Sequence, residues 1–146
     1  MPPPPDLPEL LLQRSFPGMS EPESRIFRAW LAQHGSEYDR FEFNVRVGEG
    51  VTIAENTPEF VRELASAVSR PRIDVVAIIG DSVRILEVKV RAGLSSIGQV
   101  IGYRTLYFAE HPATPRVELQ IIAARTSPDV VRVLEENGIG LELVNA

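Results

Sequence analysis

The hydrophobic positions of this chain recur with two different periods, and these periods predict its elements. Apolar residues three and four positions apart, as in Ile26, Phe27, Trp30 and Leu31, are typical of an amphipathic helix. Alternating apolar residues and short β-branched runs predict strands. The predicted helices cover residues 20–35, 58–68, 95–110 and 127–137, and the predicted strands cover residues 41–47, 73–79, 83–90, 117–124 and 139–144. This order, α-β-α-β-β-α-β-α-β, predicts an α/β domain with a mixed central sheet flanked by helices.

Residues 1–19 differ in composition from the rest of the chain. They contain six of the 12 prolines and, apart from the short patch Leu10 to Leu12, few apolar residues. We therefore expect a flexible or docking arm with little regular structure. Residues 20–146 form the predicted domain, and its first helix begins near Ser20, which has capping-box spacing with Glu23.

Composition limits the classes of function. The chain of 146 residues is 44% hydrophobic and 24% charged, which predicts one soluble domain. It contains no apolar run long enough for a membrane span and no signal-peptide pattern, so we expect a cytoplasmic protein with no membrane partner. The absence of cysteine excludes disulfides and thiolate metal sites, and two histidines argue against a histidine-rich zinc site. The net charge of -5 argues mildly against a nucleic-acid partner, although a carboxylate-rich metal site also adds negative charge.

One basic residue stands apart from the others. Of the 15 basic side chains, Lys89 is the only lysine and the rest are arginines. Arginine replaces lysine at most solvated positions but not where a compact ammonium is required. Lys89 is therefore the first candidate for a specific chemical task.

The predicted hairpin carries charges inside apolar strands. Asp74 interrupts a run of β-branched residues, and Glu87 and Lys89, two positions apart on the next strand, share one face. Buried charges are costly unless they are paired or bind a metal. Two carboxylates suit Mg²⁺ or Mn²⁺, which polarises a phosphate and lowers the pKa of a bound water, and a nearby ammonium can assist. The pattern thus indicates phosphodiester hydrolysis; the alternative is a buried ion-pair network with no chemistry.

The spacing of these residues resembles a known family. Asp74 followed by Glu87-Val88-Lys89 resembles the PD-(D/E)XK nuclease superfamily, with Ile73 where the motif often has proline. The resemblance implies a restriction-endonuclease-like core. It also implies that Asp74, Glu87 and the Val88 carbonyl bind the catalytic metal and that Lys89 serves the attacking water.

Two further features resemble the same superfamily. The family often has a glutamate near the metal on its first helix, which implies this role for Glu23, with Glu21 as the less favoured alternative. Glu23 could instead act only as the partner of Ser20 in the capping box. Gln99 and Tyr103 resemble the Gln-x-x-x-Tyr element of RecB-like and NucS-like nucleases, which lies beside the metal and the DNA. The alternative is a solvated helix face.

Other parts of the chain give weaker indications. Residues 117–144 resemble the closing strand–helix–strand of NucS-like and archaeal resolvase-like nucleases. Arg91 and Arg104 are candidates for phosphate contacts, or else ordinary surface residues. Residues 48–70, between the first and second predicted strands, are where we expect substrate choice to be encoded.

The function implied by the resemblance is a Mg²⁺- or Mn²⁺-dependent deoxyribonuclease in DNA repair, recombination or phage DNA processing. DNA is the expected partner, and a homodimer or a larger DNA-processing complex is compatible with it, since cutting both strands of a duplex needs two sites. Two alternatives remain open: a catalytically silent DNA-binding or assembly module of the same fold, and an enzyme that cuts RNA.

Overall fold

Five strands form one mixed sheet, with helices on both faces. The structure, a computed structural model, describes residues 6–50, 56–62 and 70–145. The helices are α1 (Leu7–Leu12), α2 (Glu21–His34), α3 (Leu94–Glu110) and α4 (Pro128–Glu136), and a single 3-10 turn (Gly35–Glu37) follows α2. The strands are β1 (Arg40–Arg46), β2 (Arg72–Ile79), β3 (Ser82–Arg91), β4 (Val117–Arg125) and β5 (Gly140–Leu143).

The strands lie in the sheet in the same order as in the sequence, β1-β2-β3-β4-β5. The pairs β1–β2 and β2–β3 are antiparallel, and the pairs β3–β4 and β4–β5 are parallel. A tight turn at Gly80, with φ of +59°, joins β2 to β3, whereas α3 and α4 connect the parallel strands. This arrangement confirms the predicted α/β class and the mixed sheet.

Each face of the sheet has its own hydrophobic core. The α2 core, on one face, is the packing of α2 and α1 against the sheet and includes Phe27, Trp30, Leu86 and Val88. The α3 core, on the other face, is formed by α3, α4 and the sheet and includes Val100, Tyr103, Ile121 and Leu134. Burial on both faces explains why the central strands are apolar almost throughout.

The N-terminal segment differs from the predicted flexible arm. Asp6 caps α1 by accepting a hydrogen bond from Glu9 N–H at 3.0 Å. Leu10 and Phe16 are buried in the α2 core, and the Phe16 N–H donates to Ser24 Oγ at 3.1 Å. Over residues 6–19 the structure therefore agrees with the docking alternative and not with the flexible one, because two apolar side chains bury enough surface against α2 to hold the segment on the domain.

Strand β1 does not present one face throughout, as its alternating pattern predicts. Phe41 and Phe43 pack with the α2 core, whereas Val45 and Val47 pack with the α3 core. The change occurs at Asn44, whose φ of +52° lies in the left-handed region. A single left-handed residue rotates the strand about its axis, so the residues after it face the opposite side of the sheet.

The predicted helix at residues 58–68 is described only in part. Residues 59–62 are helical, and residues 63–69 lie outside the described residues, as do residues 51–55. The prediction that this region selects the substrate stays a prediction. In the part of the chain that the structure describes, no helix combines the length and apolar character needed to cross a bilayer.

Candidate active site

Two carboxylates meet where the hydrogen-bonded pairing of β2 with β3 ends. The last pair in the register is Val75 with Leu86, and the next step along both strands brings Asp74 opposite Glu87. There the Asp74 Oδ2 accepts a hydrogen bond from the Val88 N–H at 2.9 Å. The structure thus brings together two of the residues that the sequence singled out, and a backbone donor holds one of them in place.

Glu87 is buried and only partly satisfied. Its residue is 3% exposed, and its Oε2 atom has no hydrogen-bond partner. Its Oε1 atom lies 3.5 Å from the Lys89 Nζ, and the Lys89 side chain is 32% exposed. A buried carboxylate oxygen without a partner is costly unless a proton or a cation is bound to it. Lys89 extends from this buried group towards solvent, where a substrate could approach.

The protonation of the pair follows from its burial. Burial raises the pKa of Glu87 to about 8, the nearby charge of Asp74 adds to the rise, and the Lys89 ammonium opposes it. Burial also raises the pKa of Asp74, although the Val88 N–H favours its charged form. At neutral pH and without a cation, Glu87 therefore holds a proton.

The pair fits a small divalent cation. Oxygen ligands are what Mg²⁺ and Mn²⁺ prefer, and a cation next to Glu87 Oε2 would replace the proton and give that atom a partner. Within residues 6–50, 56–62 and 70–145, no three side chains of His, Cys, Asp or Glu are grouped as one metal site. Asp74 and Glu87 would therefore hold the cation as two carboxylates, which suits Mg²⁺ because this ion keeps several of its waters.

Tyr103 lies close enough to Asp74 and Glu87 to be affected by their charges, whereas Gln99 on the same helix is exposed. Tyr103 is buried in the α3 core, and burial together with the charges of Glu87 and Asp74 raises its pKa to about 12. Its hydroxyl is therefore neutral and able to donate. Gln99, one turn earlier on α3, is exposed and takes part in no hydrogen bond among the described side chains. A substrate-binding role for either residue stays a prediction.

Glu23 acts as the capping residue and is also close to the site. Its Oε1 accepts from the Ser20 N–H at 2.8 Å, and its own N–H donates to Ser20 Oγ at 3.3 Å, which completes the capping box. Its charge nevertheless contributes to the raised pKa of Asp74. Glu21 is exposed and pairs with Arg25 at 3.9 Å. Metal ligation by Glu23 would require it to leave the cap, and it stays a prediction, as does ligation by the Val88 carbonyl.

The two predicted phosphate contacts lie on the surface. Arg91, at the end of β3, and Arg104, on α3, are both exposed. Neither forms an ion pair within the described residues, so both are available to a ligand. Their roles stay predictions.

Sequence reasoning missed two residues near the site. Asn44 belongs to the same region, because the pairs Phe43–Val75 and Val45–Ile73 place it opposite Asp74. The indication in the sequence was the residue type: an asparagine, which tolerates left-handed backbone, interrupts an alternating strand pattern. Arg125, at the end of β4, is the register partner of Arg91. Like Arg91, Arg125 lies at the end of a strand. Only the pairing of β3 with β4 shows that the two arginines are neighbours.

Comparisons with known proteins found similar folds among solved structures. No family model and no curated protein matches the sequence. Among solved structures, a repair endonuclease from Pyrococcus abyssi is similar, with a TM-score of 0.50 and 16% identity over 90% of this chain and 49% of that chain. EndoMS in a complex with double-stranded DNA has a TM-score of 0.49 and 13% identity over 91% of this chain and 48% of that chain.

A protein of unknown function, AF1548, has a TM-score of 0.49 and 17% identity over 82% of this chain and 56% of that chain. The chain spans about half the length of the solved structures that it matches. At this level of identity the likeness concerns the fold. The chain has an α/β fold with a restriction-endonuclease-like core, and a repair endonuclease has a similar fold.

Proposed function

We propose that this chain is a Mg²⁺- or Mn²⁺-dependent nuclease that hydrolyses DNA phosphodiester bonds, in DNA repair, recombination or phage DNA processing. The observation that carries the proposal is the buried Glu87 carboxylate, with one unpartnered oxygen, next to the half-buried Asp74 and the only lysine of the chain. The fold shared with a repair endonuclease supports it.

Each residue of the site has a distinct task in this proposal. Asp74 and Glu87 would hold the cation, which when bound polarises the phosphate and lowers the pKa of a water. The Val88 N–H keeps the Asp74 carboxylate oriented. The Lys89 ammonium orients the attacking water and stabilises the negative charge that grows on the phosphate oxygens. Tyr103 is neutral because its pKa is raised, and its hydroxyl can donate a hydrogen bond to the phosphate oxygens.

A cleavage assay tests the proposal. The substrates are plasmid, linear duplex, single-stranded, flap and four-way-junction DNA, each with Mn²⁺, Mg²⁺ or EDTA. We expect metal-dependent cutting by the wild type and a loss of at least about 100-fold in Lys89→Ala and Asp74→Ala. Arg116→Ala, an exposed position at the start of β4, is the matched control and should cut like the wild type. Cutting that survives in either site variant would disprove this assignment of roles.

The second candidate is a catalytically silent DNA-binding or assembly module. It is favoured by the net charge of -5 and by the absence, among the described residues, of a third side chain grouped with the two carboxylates. Calorimetry with Mn²⁺ separates the two, using Glu87→Gln as the control that removes one ligand. Heat of binding below millimolar Mn²⁺ in the wild type alone supports the nuclease, and no binding in either protein supports the module.

Substrate and assembly are tested in the same preparation. Side-by-side digestion of DNA and RNA of the same sequence distinguishes the proposed deoxyribonuclease from an RNA-cutting enzyme. Light scattering with and without DNA tests the predicted homodimer.

A further inference from the structure

The ends of β3 and β4 carry two arginines directly beside each other. Arg91 is the register partner of Arg125, and both side chains are exposed. Within the described residues, neither side chain forms an ion pair or a hydrogen bond. Like charges facing each other on neighbouring strands destabilise a sheet. Both guanidinium groups therefore lack an anionic partner within the part of the chain that the structure describes.

The same two strands show how such a charge is normally neutralised. At their other end Arg84 is the register partner of Glu118, and the two side chains form an ion pair. Arg84 also donates to the Tyr38 hydroxyl at 2.9 Å and to Gln120 Oε1 at 3.2 Å. In contrast to Arg84, Arg91 and Arg125 are open to an anion from outside the chain.

The arginine pair lies on the same face of the sheet as Glu87 and Lys89. Side chains alternate along β3, so Glu87, Lys89 and Arg91 share a face. On β4, Ile121 and Ala123 pack in the α3 core, which places Arg125 on this face too. With a rise of about 3.3 Å per residue, Arg91 lies about 13 Å along the strand from Glu87. DNA has one phosphate per about 3.4 Å of axis along each strand, so this spacing covers a few nucleotides.

The backbone around the pair is held firmly. The Ala92 N–H donates to the Arg125 carbonyl at 3.0 Å, and the Thr126 hydroxyl donates to the Ala92 carbonyl at 3.0 Å. These hydrogen bonds tie the segment after β3 to the segment after β4. The bases of the two arginine side chains are thus fixed relative to each other, which lowers the entropy lost on binding a ligand.

We propose that Arg91 and Arg125 form a subsite that binds a backbone phosphate of the DNA strand a few nucleotides from the phosphate that is cut. The inference rests on the proposed function and adds Arg125 to the residues that bind the substrate. A phosphate between two guanidinium groups removes their repulsion, and each guanidinium can bind phosphate oxygens with two hydrogen bonds. The subsite fixes the position of the strand relative to Asp74 and Glu87 without reading its sequence.

A salt titration of DNA binding tests the subsite separately from cleavage. Labelled duplex and single-stranded DNA are bound in EDTA, which prevents metal-dependent cutting, by the wild type, Arg91→Ala and Arg125→Ala. Each variant should lose about tenfold in affinity, and its slope of log affinity against log salt should be smaller by about 0.9. Arg116→Ala, whose side chain is 73% exposed at the far end of β4, is the control and should match the wild type.

Arg125→Glu separates a binding role from a structural one. This variant creates an opposite-charge pair with Arg91, so Tm should rise by about 1–4 °C while DNA affinity falls more than in Arg125→Ala. DNA affinity equal to that of the wild type in all three variants overturns the subsite, even if the wild type cuts DNA. A wild type that binds DNA through these arginines but cuts nothing keeps the subsite and overturns the nuclease. A wild type that binds no DNA overturns the subsite.

Discussion

At the scale of single residues, the site depends on one position in each of two neighbouring strands. Asn44 and Asp74 are opposite each other, and both strands change face there: Ile73 packs in the α3 core and Val75 in the α2 core. In a regular strand two residues separated by one position share a face. The distortion ends the β2–β3 pairing at Asp74, which frees the Val88 N–H to bind the Asp74 carboxylate. Local irregularity of the backbone thus accompanies the candidate active site, as is common at functional sites.

We predict that the left-handed conformation of Asn44 is required for the geometry of Asp74. Asn44→Gly should preserve both stability and Mn²⁺ binding, because glycine adopts positive φ without strain. Asn44→Val should lower the free energy of unfolding by about 1–3 kcal/mol and weaken Mn²⁺ binding, because a β-branched residue is strained there. Urea denaturation and calorimetry measure the two effects.

The control for this prediction lies in the same strand. Glu42 is an exposed residue of β1, and valine is favoured in regular strands, so Glu42→Val should have little effect. Equal behaviour of Asn44→Gly and Asn44→Val would show that the backbone conformation of Asn44 does not matter for the site.

At the scale of elements, the N-terminal segment is part of the fold rather than an appendage. Phe16 packs edge-to-face on Phe27 with ring centroids 5.0 Å apart and stacks on Phe43 at 5.5 Å. Arg28 on α2 donates to the Gln13 carbonyl at 2.7 Å. A Cβ atom on Gly18 would lie 2.7 Å from Asn44 Oδ1, and the Gly18 φ of +77° favours glycine where this segment passes β1. The segment therefore covers one side of the strand that faces Asp74.

We predict that Phe16→Ala destabilises the protein strongly. Phe16 is 3% exposed, and removal of a buried phenylalanine costs about 3–5 kcal/mol of unfolding free energy. Leu12→Ala is the matched control in the same segment, because Leu12 is 84% exposed and should change stability by less than about 0.5 kcal/mol. Urea denaturation of both variants gives the comparison, and a small effect of Phe16→Ala would restore the flexible arm that composition suggests.

At the scale of the whole molecule, the buried Glu87 carboxyl links stability to pH. Below about 4.5, the ordinary pKa of its side chain, Glu87 is protonated in both the folded and the unfolded chain, and no penalty exists. Between about 4.5 and 8 the unfolded chain releases this proton while the folded chain keeps it, so stability falls as pH rises. Above about 8 both states are ionised and the loss is complete.

We predict that Glu87→Gln removes most of this pH dependence in metal-free buffer. The free energy of unfolding of the wild type should fall by up to about 1.4 kcal/mol per pH unit between pH 5 and 8, and the variant should fall less. His34, whose pKa is raised by its hydrogen bonds to Glu37 and Glu142, also loses stabilising energy as pH rises, but it does so in both proteins. Chemical denaturation from pH 5 to 9 measures the difference, and parallel curves for the two proteins would contradict the raised pKa.

The sequence by itself determined the elements and the chemistry of the hairpin. The spacing of apolar residues predicted α2, α3, α4 and all five strands. A helix or strand that buries one face must repeat its apolar residues every 3.6 or every 2 positions, and this repeat is visible in the sequence. Asp74, Glu87 and Lys89 were recognisable because charged residues rarely interrupt apolar strands. Such local signals are present in a linear sequence.

Only the tertiary structure decided which of these residues meet. The opposition of Asp74 to Glu87, the left-handed turn at Asn44 and the pairing of Arg91 with Arg125 depend on strand register, which joins residues distant in sequence. The docking of Phe16 depends on a pocket made by α2 and β1, so composition alone did not decide between a flexible and a docking arm at residues 6–19. Register and packing follow from how all the elements bury their surfaces together, and no single segment of the sequence contains that information.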